Sequence, residues 1–306
     1  MNLVIKKPLE IIFGFMVPLL KPSFVQRALR NIGFRIPYRL AKKLNYKGIV
    51  SFTVNNKVLN LQSHNTPIEI FIFWYGIFGI WEAAQLRIWS HLVKQHDYIL
   101  DIGANTGVYS LIASTNETAK IFAFEPVPDV RLLLVETCKI NNLDKVKIIP
   151  AAVGDSDGFE KIYMPSAGWT DTSSLDKDFA SHYVTEGFDL LECQVPSVTV
   201  SSFLQTENIP KKSQILCKID VEGAEDRVVA GLLPALDLYN IVFTLELLTE
   251  VQFTSVCKQI PARYNIYAIN EKNHRLESTT GFNIYASNYL FSPQIIDTDT
   301  YNVGVI

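Results

Sequence analysis

The chain has 306 residues, of which 48% are apolar and 19% charged, with a net charge of −3. That composition excludes a disordered or low-complexity protein and leaves ample material for a core, since a single α/β domain of roughly 200 to 250 residues is ordinary. Cys138, Cys193, Cys217 and Cys257 are far apart with no CxxC pair, which argues against a disulfide framework or a zinc site and for reduced thiols in a cytoplasmic protein.

The charge is unevenly spread. Residues 1–47 hold ten Lys and Arg against the single acid Glu10, a local +9 that leaves −12 for the remainder. The apolar stretch Ile11 to Leu20 is too short to span a bilayer, which needs about 20 such residues. Glu10 and Pro18 interrupt it and no small-residue cleavage site follows, so it does not read as a signal peptide. Arg27, Arg30, Arg35, Arg39, Lys42 and Lys43 are interleaved with Phe24, Leu29, Ile32, Phe34, Tyr38 and Leu40. This mixture suits an interfacial segment on anionic lipid; it equally suits apolar residues packed on the catalytic domain with their charges solvated. Residues 1–66 are therefore set apart as a basic, partly apolar segment, with residues 1–47 the candidate for peripheral membrane contact. A nucleic-acid partner is not expected, because phosphate backbones demand positive surface near the site and the larger part of the chain is negative.

Pro67 suits a first helical turn. The stretch that follows is aromatic, with Phe71, Phe73, Trp74, Tyr75, Phe78, Trp81 and Trp89, while Gly76 and Gly79 argue against one uninterrupted helix. Apolar residues at 81, 84, 88, 89 and 92 predict a helix over 81–93. Such a stripe reads as core, with an acceptor-pocket wall as the alternative.

Residues 96–126, HDYILDIGANTGVYSLIASTNETAKIFAFEP, spell a strand that stops at Asp101, a turn Gly103-Ala104-Asn105-Thr106-Gly107, a helix Val108 to Ala113, and a second strand Ile121 to Phe124. That second strand ends on Glu125 and Pro126. Glycines let the backbone approach a ligand, and a carboxylate ending the second strand can accept both hydroxyls of a ribose, so a nucleoside is expected. The dinucleotide pattern G-x-G-x-x-G is absent because Asn105 replaces its second glycine, and Asp101 would repel a pyrophosphate. A carboxylate there attracts the ammonium of an amino-acid moiety instead, as in S-adenosylmethionine (SAM).

Further along, Val146 to Ala151 predicts the third strand. Phe159 to Pro165 and Cys193 to Val200 predict short strands flanking a polar, turn-rich stretch, and together residues 159–200 read as a lid-like insertion over the acceptor. Trp169, Ser173, Ser174, His182 and Tyr183 are its candidate contacts, with His182 the base candidate near neutral pH. Residues 215–226, ILCKIDVEGAED, predict a buried strand running into Asp220 and Glu222, whose acids should share the crevice beyond the strand ends with Asp101 and Glu125. Ile241 to Leu247 predicts a fifth parallel strand, and Tyr264 to Ile269 with Asn288 to Phe291 a last pair. The intervening NEKNHRLESTTG reads as polar, with His274 exposed.

Taken together, DIGANTG, FAFEP, AAVGDSDG and KIDVEGAE followed by TLEL resemble the FkbM-type family of SAM-dependent methyltransferases, in the family's order, from about Glu82 to Leu247. The resemblance implies an α/β protein with the Rossmann-like class I methyltransferase fold, a mostly parallel seven-stranded sheet flanked by helices, occupying residues 67–306. It also implies SAM as the cofactor. Asp101, Gly103, Ala104, Asn105 and Gly107 would surround its methionine part, Glu125 and Pro126 the ribose, and Ala152, Val153 and the turn carrying Asp155 the adenine. Asp220 and Glu222 would stand between the sulfonium and the acceptor.

The chemistry such a site needs is alignment of an acceptor lone pair with the methyl and exclusion of water, plus removal of a proton from a hydroxyl acceptor. Asp220, Glu222 and His182 are the candidates for that proton. The two acids, two apart on an extended end, would point to opposite faces, leaving Glu222 either catalytic or capping the next helix. No metal site is assigned, since no histidine-cysteine cluster is present, although Asp220 and Glu222 supply oxygens that could bind a divalent ion. The expected activity is O-methylation of a saccharide or natural-product-like small molecule. The competing reading is a non-catalytic SAM-binding module on the same fold.

Overall fold

In the computed structural model the described residues are 17–64, 66–165, 175 and 189–301. The chain divides into two compact units, Met1–Ala83 and Ala84–Ile306. The boundary falls beyond the expected residue 66 because the helix begun by Pro67 packs within the first unit.

That first unit contains α1 (Ser23–Asn31), α2 (Tyr38–Leu44), an antiparallel hairpin of β1 (Ile49–Val54) and β2 (Lys57–Gln62), and α3 (Pro67–Tyr75). Asn55 and Asn56 both have positive φ, 50° and 63°, which is what a two-residue turn matching the strand twist requires. Val50, Phe52 and Val54 alternate inward on β1, and Tyr46 stacks on Phe73 with ring centroids 3.8 Å apart. At the start of α3 the Glu69 carboxylate accepts the backbone N–H groups of His64 and Thr66, closing the helix terminus. The segment read as interfacial is split by this core: Leu40 is buried, whereas Phe24 and Ile32 are 76% and 77% exposed and Phe34 is exposed as well. Most of the stretch Ile11 to Leu20 lies outside the described residues. Among the described residues, no helix is long and apolar enough to cross a membrane.

Helix α4 (Ala83–Leu92) leads into the second unit, so the aromatic stripe is broken at the glycines as expected. Phe73, Trp74 and Trp89 are buried, and the Trp89 indole donates to the Tyr109 carbonyl at 3.1 Å, which makes these three core residues. The elements that follow are β3 (Tyr98–Ile102), α5 (Val108–Ala113), β4 (Lys120–Phe124), α6 (Pro128–Ile140), β5 (Val146–Ile149), β6 (Ala152–Val153), β7 (Gly158–Pro165) and β8 (Leu190–Val198). After them come α7 (Val200–Thr206), β9 (Gln214–Ile219), α8 (Glu225–Leu232), β10 (Asn240–Glu246), α9 (Glu250–Gln259), β11 (Asn265–Asn270), β12 (Arg275–Ser278) and β13 (Asn288–Ser292).

The central sheet has the order β12-β11-β13-β10-β9-β3-β4-β5. From β10 to β5 all neighbours are parallel, while β13 runs antiparallel between β10 and β11. This is the Rossmann-like, mostly parallel α/β sheet of class I methyltransferases, with one strand beyond the expected seven. The extra strand, β12, arises inside NEKNHRLESTTG: its one fully buried residue is Leu276, too short an apolar signal to read in advance. His274 beside it is partly buried rather than exposed, with a left-handed φ of 55°. The central strands β3, β4, β9 and β10 are buried on both faces, which is why they read as mostly apolar runs, with Asp101 and Lys218 as the buried charged exceptions.

Chain order reverses on either side of β3, so a crevice forms beyond its carboxyl end. The third strand stops at Ile149, two residues short of expectation. Ala152 and Val153 instead join a separate sheet of order β6-β8-β7, whose β7-β8 hairpin runs in register from Gly158↔Ser197 to Pro165↔Leu190. That hairpin flanks the stretch expected to form a lid-like insertion. Trp169, Ser173, Ser174, His182 and Tyr183 lie outside the described residues.

Candidate functional site

The turn after β3 is built by three left-handed residues, Gly103 (φ 78°), Asn105 (φ 50°) and Gly107 (φ 93°). The glycines are required by the chain itself. A Cβ on Gly107 would stand 2.5 Å from the Leu134 side chain on α6, and one on Gly103 would meet the Asp220 carbonyl. The Asn105 side chain accepts the Thr106 N–H at 2.7 Å, which stabilises its unusual backbone. Ala104 is buried in the same turn.

Glu125 closes this turn from the next strand. One carboxylate oxygen accepts the Asn105 N–H at 3.0 Å and the other the Val127 N–H at 2.9 Å. Burial raises its pKa to about 7, against the pull of those two hydrogen bonds. A carboxylate offers about four lone-pair sites, so two hydroxyls can still be accommodated. Pro126 is half-buried, and its carbonyl with that of Glu125 accepts from the Arg131 guanidinium at 2.9 and 3.0 Å.

Asp101 is enclosed completely. Its Oδ2 accepts from the Ser110 hydroxyl at 2.6 Å, while its Oδ1 is buried with no hydrogen-bond partner. Burial raises its pKa, opposed by the positive charge of Lys218. An orphaned buried acceptor of this kind calls for a donor. The Thr106 hydroxyl, in the same turn, is likewise buried without a partner.

At the end of β9, Asp220 donates its backbone N–H to the Ile102 carbonyl at 3.1 Å, which brings its side chain beside the turn. Its carboxylate pairs with the Lys218 ammonium at 2.9 Å. The expected extended geometry does not continue to Glu222: β9 stops at Ile219, and Glu222 and Gly223 take left-handed φ values of 56° and 99°. The strict two-face argument for the two acids therefore fails. The buried Glu225 carboxylate, in the first turn of α8, folds back to accept the N–H groups of Val221 and Gly223 at about 3.2 Å, so it holds the loop ahead of the helix, and burial raises its pKa to about 7.

The expected adenine-side residues are placed differently from one another. Ala152 packs in a small apolar cluster with Val127, Val130, Ile162 and Val195, and Val153 in the main core. Asp155 is held by Arg227 at 2.9 Å, and the same guanidinium reaches Glu160 at 2.6 Å. This pairing keeps the Asp155 carboxyl below its ordinary range. Beside it lies a cavity of about 610 Å³ between β7, the first turn of α8 and α9. Tyr163, Asp226, Arg227, Gln252 and Ser255 supply its polar wall, and Leu247, Val251 and Val256 its apolar one. Among the described residues, no group of three His, Cys, Asp or Glu is arranged to hold a metal ion.

Sequence reasoning missed Lys218, Glu225 and Arg227. The first left a signal, since a lysine inside the apolar run ILCKI requires a buried partner. Arg227 left none, because its partners Asp155 and Glu160 are set by tertiary contacts; the partners of Glu225 are local, but no residue pattern marks that turn.

The model of a family described as the methyltransferase FkbM domain matches residues 101–265. The hexuronic acid methyltransferase AglP of Haloferax volcanii is 28% identical over 163 residues, 53% of this chain; the chain spans about 60% of that relative's length. Among solved structures, the FkbM methyltransferase of Methylobacillus flagellatus KT aligns with a TM-score of 0.39 and 13% identity over 64% of this chain and 43% of its own. An O-methyltransferase from Bacillus cereus in complex with SAH aligns with a TM-score of 0.39 and 12% identity over 67% and 79%.

Proposed function

The chain belongs to the FkbM methyltransferase family, and we propose that it moves a methyl group from SAM to a hydroxyl of a saccharide or similar polar small molecule. The observation that carries this reading is the pairing of Glu125 with Asn105 across the glycine turn, together with the orphaned Oδ1 of Asp101 on the strand that enters that turn. These residues fit the cofactor: the Asp101 carboxylate suits an ammonium, the turn backbone the methionine part, and the free lone pairs of Glu125 the ribose hydroxyls. When bound, SAM supplies a methyl already activated by its sulfonium. The chain then has three tasks: to hold the acceptor oxygen in line, to keep water out and to take up the hydroxyl proton. Asp220 is the residue proposed for that proton, with Glu222 orienting the acceptor; His182 of the insertion remains a candidate from the sequence.

A sugar presents hydroxyl edges and apolar C–H faces, and the cavity beside α8 is lined by both polar and apolar side chains. The relative that methylates a hexuronic acid supports the same substrate class. Calorimetric titration with SAM, followed by transfer from labelled SAM to free uronic acids, hexoses and cell-envelope glycans, tests the proposal. Saccharide labelling dependent on the chain is the expected result. Tight binding of NADH with none of SAM would overturn it.

We propose further that the protein works in the cytoplasm at a membrane surface, through the basic and apolar residues of its first unit. The exposure of Phe24, Ile32 and Phe34 beside Arg35, Lys42 and Lys43 supports this contact.

A further inference from the structure

Lys218 is a lysine on a central strand with only 7% of its side chain exposed. A buried ammonium is costly unless it is paired and hydrogen-bonded, so its surroundings say what it is for. Its register partner on β3 is Asp101, and partners in adjoining parallel strands project to the same face. Its Nζ lies 2.9 Å from Asp220 Oδ2, donates to the Gly103 carbonyl at 3.4 Å, and sits 4.6 Å from the centre of the Tyr109 ring. One cation thus touches the strand-end acid, the glycine turn and the first helix after it, and neighbours the buried acid beneath that turn.

We propose that Lys218 is the positioning residue of the site. It fixes the Asp220 carboxylate at the acceptor side and ties it to the Gly103 turn, so that the groups proposed to hold the cofactor and to receive the proton keep one geometry. This inference rests on the methyl-transfer reading above. The lysine acts through Asp220 and does not itself touch the acceptor. The geometry favours this over a purely structural ion pair: a pair made only for stability gains little from burial, whereas here the partner acid, just past the end of β9, remains 25% exposed.

The test is a double-mutant cycle on the full chain, with SAM affinity and saccharide methylation measured for wild type, Lys218→Met, Lys218→Arg, Asp220→Asn and the double variants. Lys218→Met should lower kcat by about a hundredfold, the scale of a misplaced reacting group, while changing SAM affinity by less than about tenfold. Lys218→Arg, which keeps the charge, should recover part of that loss. In the Asp220→Asn background either lysine substitution should reduce kcat by less than about threefold more. Full additivity with Asp220→Asn would overturn the assignment, as would a loss of SAM affinity equal to the loss of kcat. If Lys218→Met fails to fold, the Lys218→Arg arm of the cycle decides alone by the same criterion. A wild type that binds no SAM would instead overturn the methyl-transfer reading itself, an outcome distinct from additive variants of an active enzyme.

Discussion

Gly103 lies so close to the carbonyl oxygen of Asp220 that a Cβ on the glycine would stand 1.8 Å from it. The turn after β3 and the end of β9 are therefore interlocked, and the φ of 78° at Gly103 is itself one that side chains resist. Replacing Gly103 with Ala should force the two strand ends apart, with strain and overpacking together costing at least about 3 kcal/mol. The variant should melt well below wild type and lose SAM binding; a melting temperature within about 2 °C of wild type would show that the strand ends can separate freely.

Glu125 governs the cofactor prediction. Its replacement by Ala should weaken SAM binding by roughly ten- to a hundredfold, the loss of a charged hydrogen-bonding group being about 1.5 to 3 kcal/mol. Because burial lifts its pKa to about 7, the carboxylate is largely protonated at pH 6 and ionised at pH 8. Hydroxyl donors prefer the ionised form, so SAM affinity should rise across that interval. Glu125→Gln should flatten the pH profile, and titrations at three pH values would reveal an unchanged slope if another group is responsible.

Glu225 makes a prediction about stability. Its folded-state pKa of about 7 lies above the ordinary glutamate value of 4.5, so between those limits the folded chain binds more protons than the unfolded one. Stability should consequently be greatest near the lower limit and fall as pH rises to 7, by up to about 3 kcal/mol for this group. The burial-raised carboxyls of Asp101 and Glu125 act in the same sense. Melting temperatures at pH 5 and pH 8 should differ less for Glu225→Gln than for wild type, and equal differences would count against the assignment.

The proton acceptor is tested by Asp220→Asn and Glu222→Gln. If Asp220 takes the proton, its variant should lose about a hundredfold or more in turnover with little change in SAM affinity. A loss below about threefold in both variants would mean that positioning alone carries the step. Activity abolished by EDTA and restored by magnesium would move both acids into a metal role.

Membrane attachment is best tested by point substitutions. Deleting residues 1–47 would strip Ile36, Leu40, Leu44 and Tyr46 from the core of the first unit and unfold it. A variant with Phe24, Ile32 and Phe34 all changed to Ser touches exposed positions, and it should sediment with anionic vesicles markedly less than wild type. Added salt should weaken the wild-type interaction, since each basic residue near an anionic surface contributes about 1 kcal/mol and is screened beyond a Debye length. Equal partitioning of both forms would reject the contact.

The sheet was readable in the sequence where burial is continuous. Tyr98 to Ile102 and Ile215 to Ile219 are mostly apolar runs because parallel strands are covered on both faces, and Gly103 to Gly107 announced the turn because its backbone leaves few residue types to choose from. The short strand around Leu276 was illegible, since one buried residue makes no period. The site divides in the same way. Asp101, Glu125 and Asp220 are marked by their places at strand ends, a local property. Only the tertiary structure decided that Asp101 is sealed with one oxygen unpaired and that Arg227 holds Asp155. It also decided that Lys218 stands between the Asp101 strand and Asp220. Lys218 and Gly103 are 115 residues apart in the chain, and the distance between such groups is fixed by how strands pack side by side, which no local pattern of residues encodes.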